Sequence, residues 1–515
     1  MQNNNFVKSI GIVFITYVFL HLFFGAWYEH FEIIYEILVT GYSQLFYFGD
    51  FDFLMNKYIY SIFIWLYKWN NAISWRAYFY TGIILFCAIL YIRSLLVLPI
   101  KISRKVLLIM ITIFLLSNSL VFLNFTRVAM IAVTTGWLVV LGFIPIKRFY
   151  IKHSLGTLLV IVGTLTRIES SLLVSAIVFV TVLFNGYSFL ISSLRNGILP
   201  AIFIVGFFTY NSYVLATSNY YHHLIEPYVE YSIVITQEKK VVPISSMQNK
   251  SDSLRYISAI NWHIEDSVQV SPAFLYSIIN NNNIFRDLKV VSSEFKDYFQ
   301  EYGIYNIILL LVLYLVSMRI TLFTNTSMPI KTTFLFLCYI FLFILPSLMI
   351  QTKARVQEPI VFCFWMCWVL MLKEKFSDTK KLWNPLGLIC IYLVVLYCIA
   401  AGFYHLKQRS NNQYNIFKKN KSIVASLEKK YPNYFIYPYD NALELFFRPA
   451  FEAGYLSSNP ISFIGFGQMS YTPSGKEIIK NLFGCEFYDY PCRFQFIKNN
   501  KHNIIFIGND KLEFF

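Results

Sequence analysis

The feature that most constrains this chain is a series of long apolar segments separated by short basic ones. Each segment has about 20 residues, the length that crosses the hydrocarbon core of a bilayer. Hydrophobic residues make up 57% of the 515 positions and charged residues 14%, too few for the surface of a soluble domain. We therefore predict an α-helical polytopic membrane protein. The predicted spans, about eleven, lie at 7–26, 76–98, 106–123, 128–146, 154–167, 170–188, 197–216, 304–323, 332–350, 359–372 and 384–403.

Lysine and arginine in the short loops predict which side of the membrane each loop occupies, because cytoplasmic loops carry an excess of them. The bias is consistent if the N-terminus is cytoplasmic, and the loops 27–75 and 217–303 and the tail 404–515 then lie outside. The net charge of +15 follows mostly from this bias, so it indicates a membrane and no nucleic-acid partner. The basic residues of the short outer loops are Arg127, Arg167, Lys353 and Arg355.

The spans and loops divide the chain into four regions. These are a seven-span module at 1–216, an outer loop at 217–303, a four-span block at 304–403 and a tail at 404–515. The outer loop has one helix signal, at 286–302. The tail is predicted to be a small extracytoplasmic α/β domain from a series of local signals. They are an amphipathic helix at 413–430, strands at 434–437 and 503–507, and further helix signals at 441–447 and 474–483.

The first outer loop is the strongest candidate for chemistry. It reads as two amphipathic helices, about 30–46 and 53–69, of the kind that lie in the membrane interface. Between them falls Gly49-Asp50-Phe51-Asp52-Phe53. A carboxylate beside an apolar surface is desolvated, which raises its pKa and suits it to act as a general base. The alternative is that Asp50 or Asp52 caps the helix that begins near Phe53. The neighbouring Glu29, Glu32 and Glu36 share one polar helix face, which usually faces solvent.

The four basic residues of the short outer loops form a second candidate set, since the charge bias disfavours cations there. One explanation is a phosphate at the outer leaflet, for which arginine offers a planar fork of donors. The other is local pairing, Arg167 with Glu169 and Arg355 with Glu358, or contact with lipid headgroups.

Metal-binding and cysteine patterns are weaker. His222-His223-Leu224-Ile225-Glu226 and Trp262-His263-Ile264-Glu265-Asp266 lack the ligand spacing of a known metal motif, so no metal site is predicted. Cys485 and Cys492 lie in the predicted exported tail, where oxidation is permitted. Whether they form a disulfide is left open.

The arrangement of the first seven spans resembles a known family. One span, an outer loop of two juxtamembrane helices with an acidic residue, and six further spans resemble the shared module of GT-C glycosyltransferases. The stretches Gly49-Asp50-Phe51-Asp52-Phe53-Leu54-Met55 and Ile73-Ser74-Trp75-Arg76 resemble bacterial members of that superfamily. The segments Asn124–Arg127 and Thr166–Glu169 are similar to its outer-loop motifs. The resemblance covers roughly residues 1–216 and is architectural more than motif-based.

The resemblance implies an enzyme of the bacterial cytoplasmic membrane. It would move a sugar from a polyprenyl-phosphate donor to a glycan, lipid or protein acceptor on the outer face. By the same resemblance, Asp50 is the base with Asp52 as its substitute, and Arg355 and Arg167 lead the phosphate contacts, followed by Arg127 and Lys353. No organic cofactor is implied. Some such enzymes use a divalent ion, for which the candidate ligands are Glu226, Glu265 and Asp266.

One departure from the family and three other functions stay open. One of these functions is a non-catalytic scaffold, in which the acidic loop could be neutralised without consequence. The acidic pair lies more than twenty residues past the first span, farther than in several members, which keeps Glu29 and Glu32 as alternative bases. An envelope-polysaccharide polymerase or ligase would need arginine-rich outer loops, and 217–303 has only Arg255 and Arg286. A transporter or flippase of a lipid-linked substrate would place ionisable residues in mid-membrane, and the span interiors hold few of them.

Overall fold

The computed structural model of the chain describes most of the apolar segments and parts of the loops. The described residues are 2–28, 57–70, 72–184, 187–217, 241–242, 250–260, 271–279, 288–324, 328–349, 354–371, 385–430, 435–438, 449–451, 480, 484–485, 490–499, 504–507 and 512–513. Within these residues the chain is almost entirely helical, as the long apolar segments predict.

Eight helices and two short strands make up the described N-terminal part. They are α1 (Gln2–Phe24), β1 (Trp27–Tyr28), α2 (Lys57–Trp69), α3 (Trp75–Val97), α4 (Ile102–Val121), β2 (Phe122–Leu123), α5 (Phe125–Val140), α6 (Phe149–Thr166), α7 (Ile168–Phe184) and α8 (Tyr187–Thr217). The strands β1 and β2 pair in parallel, Trp27 opposite Phe122. Because β1 follows α1 and β2 follows α4, both helices end at the same end of the bundle. We call it the loop end, since the predicted acidic loop departs there.

The C-terminal part continues in the same way. Its helices are α9 (Lys250–Ile260), α10 (Pro272–Ile278), α11 (Leu288–Tyr298), a π-helical turn (Phe299–Gly303), α12 (Ile304–Thr324), α13 (Met328–Met349), α14 (Ala354–Met371), α15 (Pro385–Lys430) and α16 (Tyr490–Asn499). Its strands are β3 (Phe435–Pro438), β4 (Ile504–Ile507) and β5 (Leu512–Glu513). The helix predicted at 286–302 is thus α11 with the π-helical turn, and it runs directly into α12.

Each predicted span corresponds to one of these helices, and the chain is an α-helical membrane protein with several spans. Among the described residues, seven helices are long and apolar enough to cross a bilayer by length and composition. Phe125–Val140, Ile168–Phe184 and Ile304–Arg319 are apolar but shorter. The predicted span 359–372 lies in α14, whose first turns carry Arg355 and Glu358.

The helices sort into a buried centre and a lipid-facing rim. In α5 every described residue except Trp137 is buried, and α14 is buried from Gln357 to Leu370. By contrast, α1 exposes Ile15 at 70% and Leu22 at 74%, and α13 exposes Ile330 at 74%. On a membrane-spanning helix, large apolar side chains that are not buried in the protein contact lipid acyl chains. We therefore place α1 and α13 in the rim.

Small residues bring α5 and α6 into close contact. A Cβ added to Gly136 would lie 2.6 Å from the Gly156 carbonyl oxygen, and one added to Gly163 would lie 2.7 Å from the Ala129 carbonyl oxygen. Such distances allow only glycine, which lets two backbones approach as they do in other membrane helix pairs. We call this contact the glycine seam.

The second predicted interfacial helix is present as α2, and the first, 30–46, lies outside the described residues. One face of α2 is buried, through Phe63 and Tyr67 among others, while Trp65 and Trp69 are 66% and 70% exposed. A short helix with a buried face and exposed tryptophans has the composition of an interfacial element.

The helix α15 corrects one prediction. The sequence suggested a span at 384–403 and a separate helix at 413–430, but the structure has one helix of 46 residues. Residues 404–412 contain no proline or glycine, so nothing in the sequence ends the helix there. Beyond its apolar part, α15 packs beside the end of α1, where Ser410 Oγ and Lys407 Nζ donate to the Phe24 and Phe23 carbonyl oxygens.

The described parts of the tail form a small sheet and a disulfide. The strand β3 pairs in parallel with β4, and β4 pairs antiparallel with β5, in agreement with the strands predicted at 434–437 and 503–507. The helix α16 has no counterpart among the predictions, and the signals at 441–447 and 474–483 fall outside the described residues except for Lys480. Cys485 and Cys492 are joined, with Cα atoms 6.0 Å apart.

A candidate anion site at the loop end of the bundle

The acidic loop enters and leaves the bundle at one place. Tyr28, the last described residue before it, has its hydroxyl 2.9 Å from the Ser74 hydroxyl, directly before α3. The backbone of Trp27 also bridges to Pro449, and the Ala450 N–H donates to the Ala26 carbonyl at 2.7 Å. The two ends of the loop are therefore held together beside β2, with residues 449–450 of the tail against them.

Several predicted site residues lie outside the described residues. They are Asp50, Asp52, Lys353, Glu29, Glu32, Glu36, Glu226, Glu265 and Asp266. Their predicted roles as base, phosphate contact or metal ligand stay predictions.

Arg127 lies in the first turn of α5 and is completely enclosed. Asn124 caps the helix, accepting from the Thr126 N–H at 2.8 Å, as asparagine commonly does. The Arg127 side chain is 0% exposed, and its Nη2 lies 2.8 Å from Oε2 of Glu358, itself 4% exposed. Its Nη1 donates to the Phe122 carbonyl oxygen at 2.6 Å. The guanidinium is thus engaged inside the protein.

The carboxylate of Glu358 joins three helices. It accepts from Arg127 of α5 and from the Asn118 side-chain amide at the end of α4, and it belongs to α14. A buried charge is tolerated only when paired and hydrogen-bonded, because desolvation costs several kcal/mol per ion. Glu358 thus pairs with Arg127, which lies 231 residues away, and this contact was not predicted. The predicted local pairing of Glu358 with Arg355 stays a prediction. The Arg127 guanidinium is therefore bonded inside the protein and is not exposed to a ligand at the surface.

Arg167 lies at the junction of α6 and α7, where the backbone is extended with φ −162° and ψ 112°. Its Nη1 donates to Thr126 Oγ1 at 2.7 Å, and its guanidinium carbon lies 5.1 Å from the centre of the Phe125 ring. Its Nε lies 3.4 Å from Oε2 of Glu169, which confirms the predicted local pair. The Arg167 side chain is 21% exposed and the Glu169 side chain 72%, so this cation reaches the surface while its partner is mostly in solvent.

A third arginine contacts the same turn and was missed by the sequence reasoning. Arg409 of α15 is half-buried, and its guanidinium carbon lies 4.1 Å from the centre of the Phe122 ring. The signal was available: Arg409 lies shortly after the predicted span 384–403, on a side where the charge bias disfavours cations.

The turn Phe122–Arg127 therefore contains one arginine, Arg127, and contacts two others, Arg167 and Arg409. We call the turn and these arginines the arginine turn. Arg355, predicted as a phosphate contact, lies in the first turn of α14 and is half-buried. The helices α5, α7 and α14 all begin at this end, and helix N-termini carry partial positive charge. Arginines and helix N-termini together favour an anion.

Within the described residues, no three side chains of histidine, cysteine, aspartate or glutamate come close enough together to hold a metal ion. Cys363 and Cys367 of α14, which are both buried and free, do not make up such a group of three.

No protein family, curated protein or solved structure matches the chain.

Proposed function

We propose that this protein is a membrane glycosyltransferase of the GT-C type that uses a polyprenyl-phosphate-linked sugar. In this proposal the chain crosses the bacterial cytoplasmic membrane about eleven times, with the N-terminus inside. The loop end faces outward, and the tail is a small α/β domain on that side. The acceptor is a glycan, lipid or protein of the envelope.

The observation that carries the proposal is the partly exposed Arg167 within the arginine turn. Its guanidinium is oriented by Thr126 and Phe125 yet reaches the surface, and the ends of the acidic loop are tied to the same end of the bundle. A lipid phosphate needs such a partner where the bilayer meets the water. The disulfide Cys485–Cys492 supports an exported tail, because disulfides persist in oxidising compartments.

The proposed reaction is a direct displacement at the anomeric carbon. Asp50, with Asp52 as its substitute, takes the proton of the acceptor hydroxyl as the oxygen attacks, and the bond from the anomeric carbon to the phosphate oxygen breaks. The electron pair leaves with polyprenyl phosphate, whose charge is stabilised by Arg167 and Arg355. Arg127 is assigned a different task from the one first predicted: it fixes α14, and with it the position of Arg355.

A binding measurement tests the phosphate contact. The purified full-length protein is heated with polyprenyl phosphate or with polyprenol of the same length, which shares the tail but lacks the phosphate. A specific ligand at 100 times its Kd stabilises by about 2.7 kcal/mol. We expect polyprenyl phosphate to raise the melting temperature, polyprenol to do so much less, and Arg167→Gln to remove the difference.

The chain offers a matched control, because α6 has an arginine at each end. Arg148→Gln changes an exposed arginine at the opposite end of the same helix and should leave the response to polyprenyl phosphate unchanged. The proposal is contradicted if polyprenol stabilises as well as polyprenyl phosphate, or if Arg148→Gln and Arg167→Gln weaken the response equally.

A further inference from the structure

A second polar group lies next to the buried ion pair, on the side of α11 and α12. Tyr298 is 4% exposed and Asn306 is 1% exposed. Burial, and then the negative charge of Glu358, raise the pKa of Tyr298 well above its usual range, while Asn306 and Arg127 act in the opposite direction. Tyr298 therefore stays neutral and keeps its proton, within range of both members of the ion pair.

The π-helical turn aligns these two side chains. In a regular α-helix, residues eight positions apart point about 80° away from each other. A π-helical turn takes up one extra residue, which brings them to within about 20°. Gly303 in this turn gives room for the ring, since a Cβ there would overlap the Tyr298 side chain. The turn thus directs Tyr298 and Asn306 toward the same neighbours.

Three polar atoms of this group are buried and make no well-formed hydrogen bond within the described residues: Tyr298 Oη, Asn306 Oδ1 and Asn118 Oδ1. The Asn306 amide does lie close enough to the Tyr298 hydroxyl to lower the pKa of Tyr298. Asn118 uses its amide nitrogen on Glu358, so its oxygen is left over beside the ion pair. Native proteins rarely leave such atoms unpaired, because a buried polar atom loses its hydrogen bonds to water on folding.

We propose that Asn118, Tyr298 and Asn306, beside the Arg127–Glu358 pair, form an internal binding site for a hydroxyl group. A hydroxyl both donates and accepts, so it can donate to an amide oxygen while it accepts from the tyrosine. Water and a carbohydrate both supply such a group, and a site with two to four polar partners holds water well. This inference does not depend on the proposed glycosyltransferase activity.

Hydroxyl-radical labelling of the full-length protein tests the site, because bound water is the source of radicals in a protein interior. Tyr91 and Tyr339 are matched controls: both are buried, and their hydroxyls are bonded to Thr135 and Thr181 in the apolar interior. We expect Tyr298 to be modified several times faster than either control. Modification as slow as that of Tyr91 and Tyr339 would overturn the proposal.

A second measurement shows whether the Tyr298 hydroxyl is hydrogen-bonded to a bound ligand or has no hydrogen-bond partner. If Tyr298 is bonded to a ligand, Tyr298→Phe removes that bond and lowers the melting temperature by about 1–3 °C. If its hydroxyl is orphaned, the same change leaves the melting temperature unchanged or raises it, and the proposal fails. Repeating the labelling with methyl glucoside identifies the source: protection of Tyr298 assigns a carbohydrate hydroxyl, and unchanged labelling assigns water.

Discussion

Two parts of α5 are held in different ways. Its first turn is fixed by charge, through the buried pair of Arg127 and Glu358. Its body is fixed by close contact, through the glycine seam with α6. The first turn joins helices far apart in the sequence, whereas the seam joins neighbours in the chain.

The two contacts differ in the substitutions that they tolerate. The seam depends on the absence of side chains, so any added atom meets backbone. The charged turn depends on matched partners, so removing one partner harms more than removing both.

The largest effect is expected from breaking the ion pair. Arg127→Leu leaves the Glu358 carboxylate buried with Asn118 as a remaining partner, and we expect a loss of about 3–5 kcal/mol in the free energy of unfolding. Denaturant titration of the purified protein measures it. The double variant Arg127→Leu, Glu358→Leu should recover most of the loss, since both charges of the buried pair are then removed. A double variant as unstable as the single one would show that charge is not what holds this turn.

The next effect tests the seam. Gly136→Ala places a Cβ 2.6 Å from the Gly156 carbonyl oxygen, and overpacking of this kind costs about 1–3 kcal/mol. The control is Gly206→Ala in α8, where a Cβ meets nothing within 4 Å. That change should be neutral or slightly stabilising, because alanine favours a helix. Equal melting temperatures for the two variants would contradict the seam.

A smaller effect is expected at the cap of α5. Asn124→Ala removes the acceptor of the Thr126 N–H, which should cost about 1 kcal/mol. Asn124→Ser keeps a capping oxygen and should retain most of the stability. If thermal unfolding does not distinguish serine from alanine, the cap does not contribute to holding the turn.

The smallest effect on stability is expected at Arg167, whose pair with Glu169 is partly exposed. Such pairs contribute about 0–1 kcal/mol, so Arg167→Gln should unfold at nearly the wild-type denaturant concentration. Its effect should be confined to ligand binding. A loss of stability comparable with that of Arg127→Leu would place Arg167 among the structural residues and remove it from the proposed site.

The sequence predicted the helices well because long apolar runs are a local property. The contact of Arg127 with Glu358 was not predicted, because nothing local relates two residues 231 positions apart. The alignment of Tyr298 with Asn306 was also missed, since it depends on one π-helical turn that shifts the helical period. By contrast, Arg167 and Glu169 are two positions apart, and their pairing could be read directly from the sequence.

The most direct test of the account is sugar transfer by membranes that contain the protein and supply its acceptors. The donors are polyprenyl-phosphate hexoses labelled in the sugar, and the variants compared are wild type and Asp50→Asn, Asp52→Asn. We predict that at least one donor labels an acceptor and releases polyprenyl phosphate with the wild type, and that the double variant does not. Equal transfer by the two proteins, or no transfer above membranes that lack them, would contradict the account.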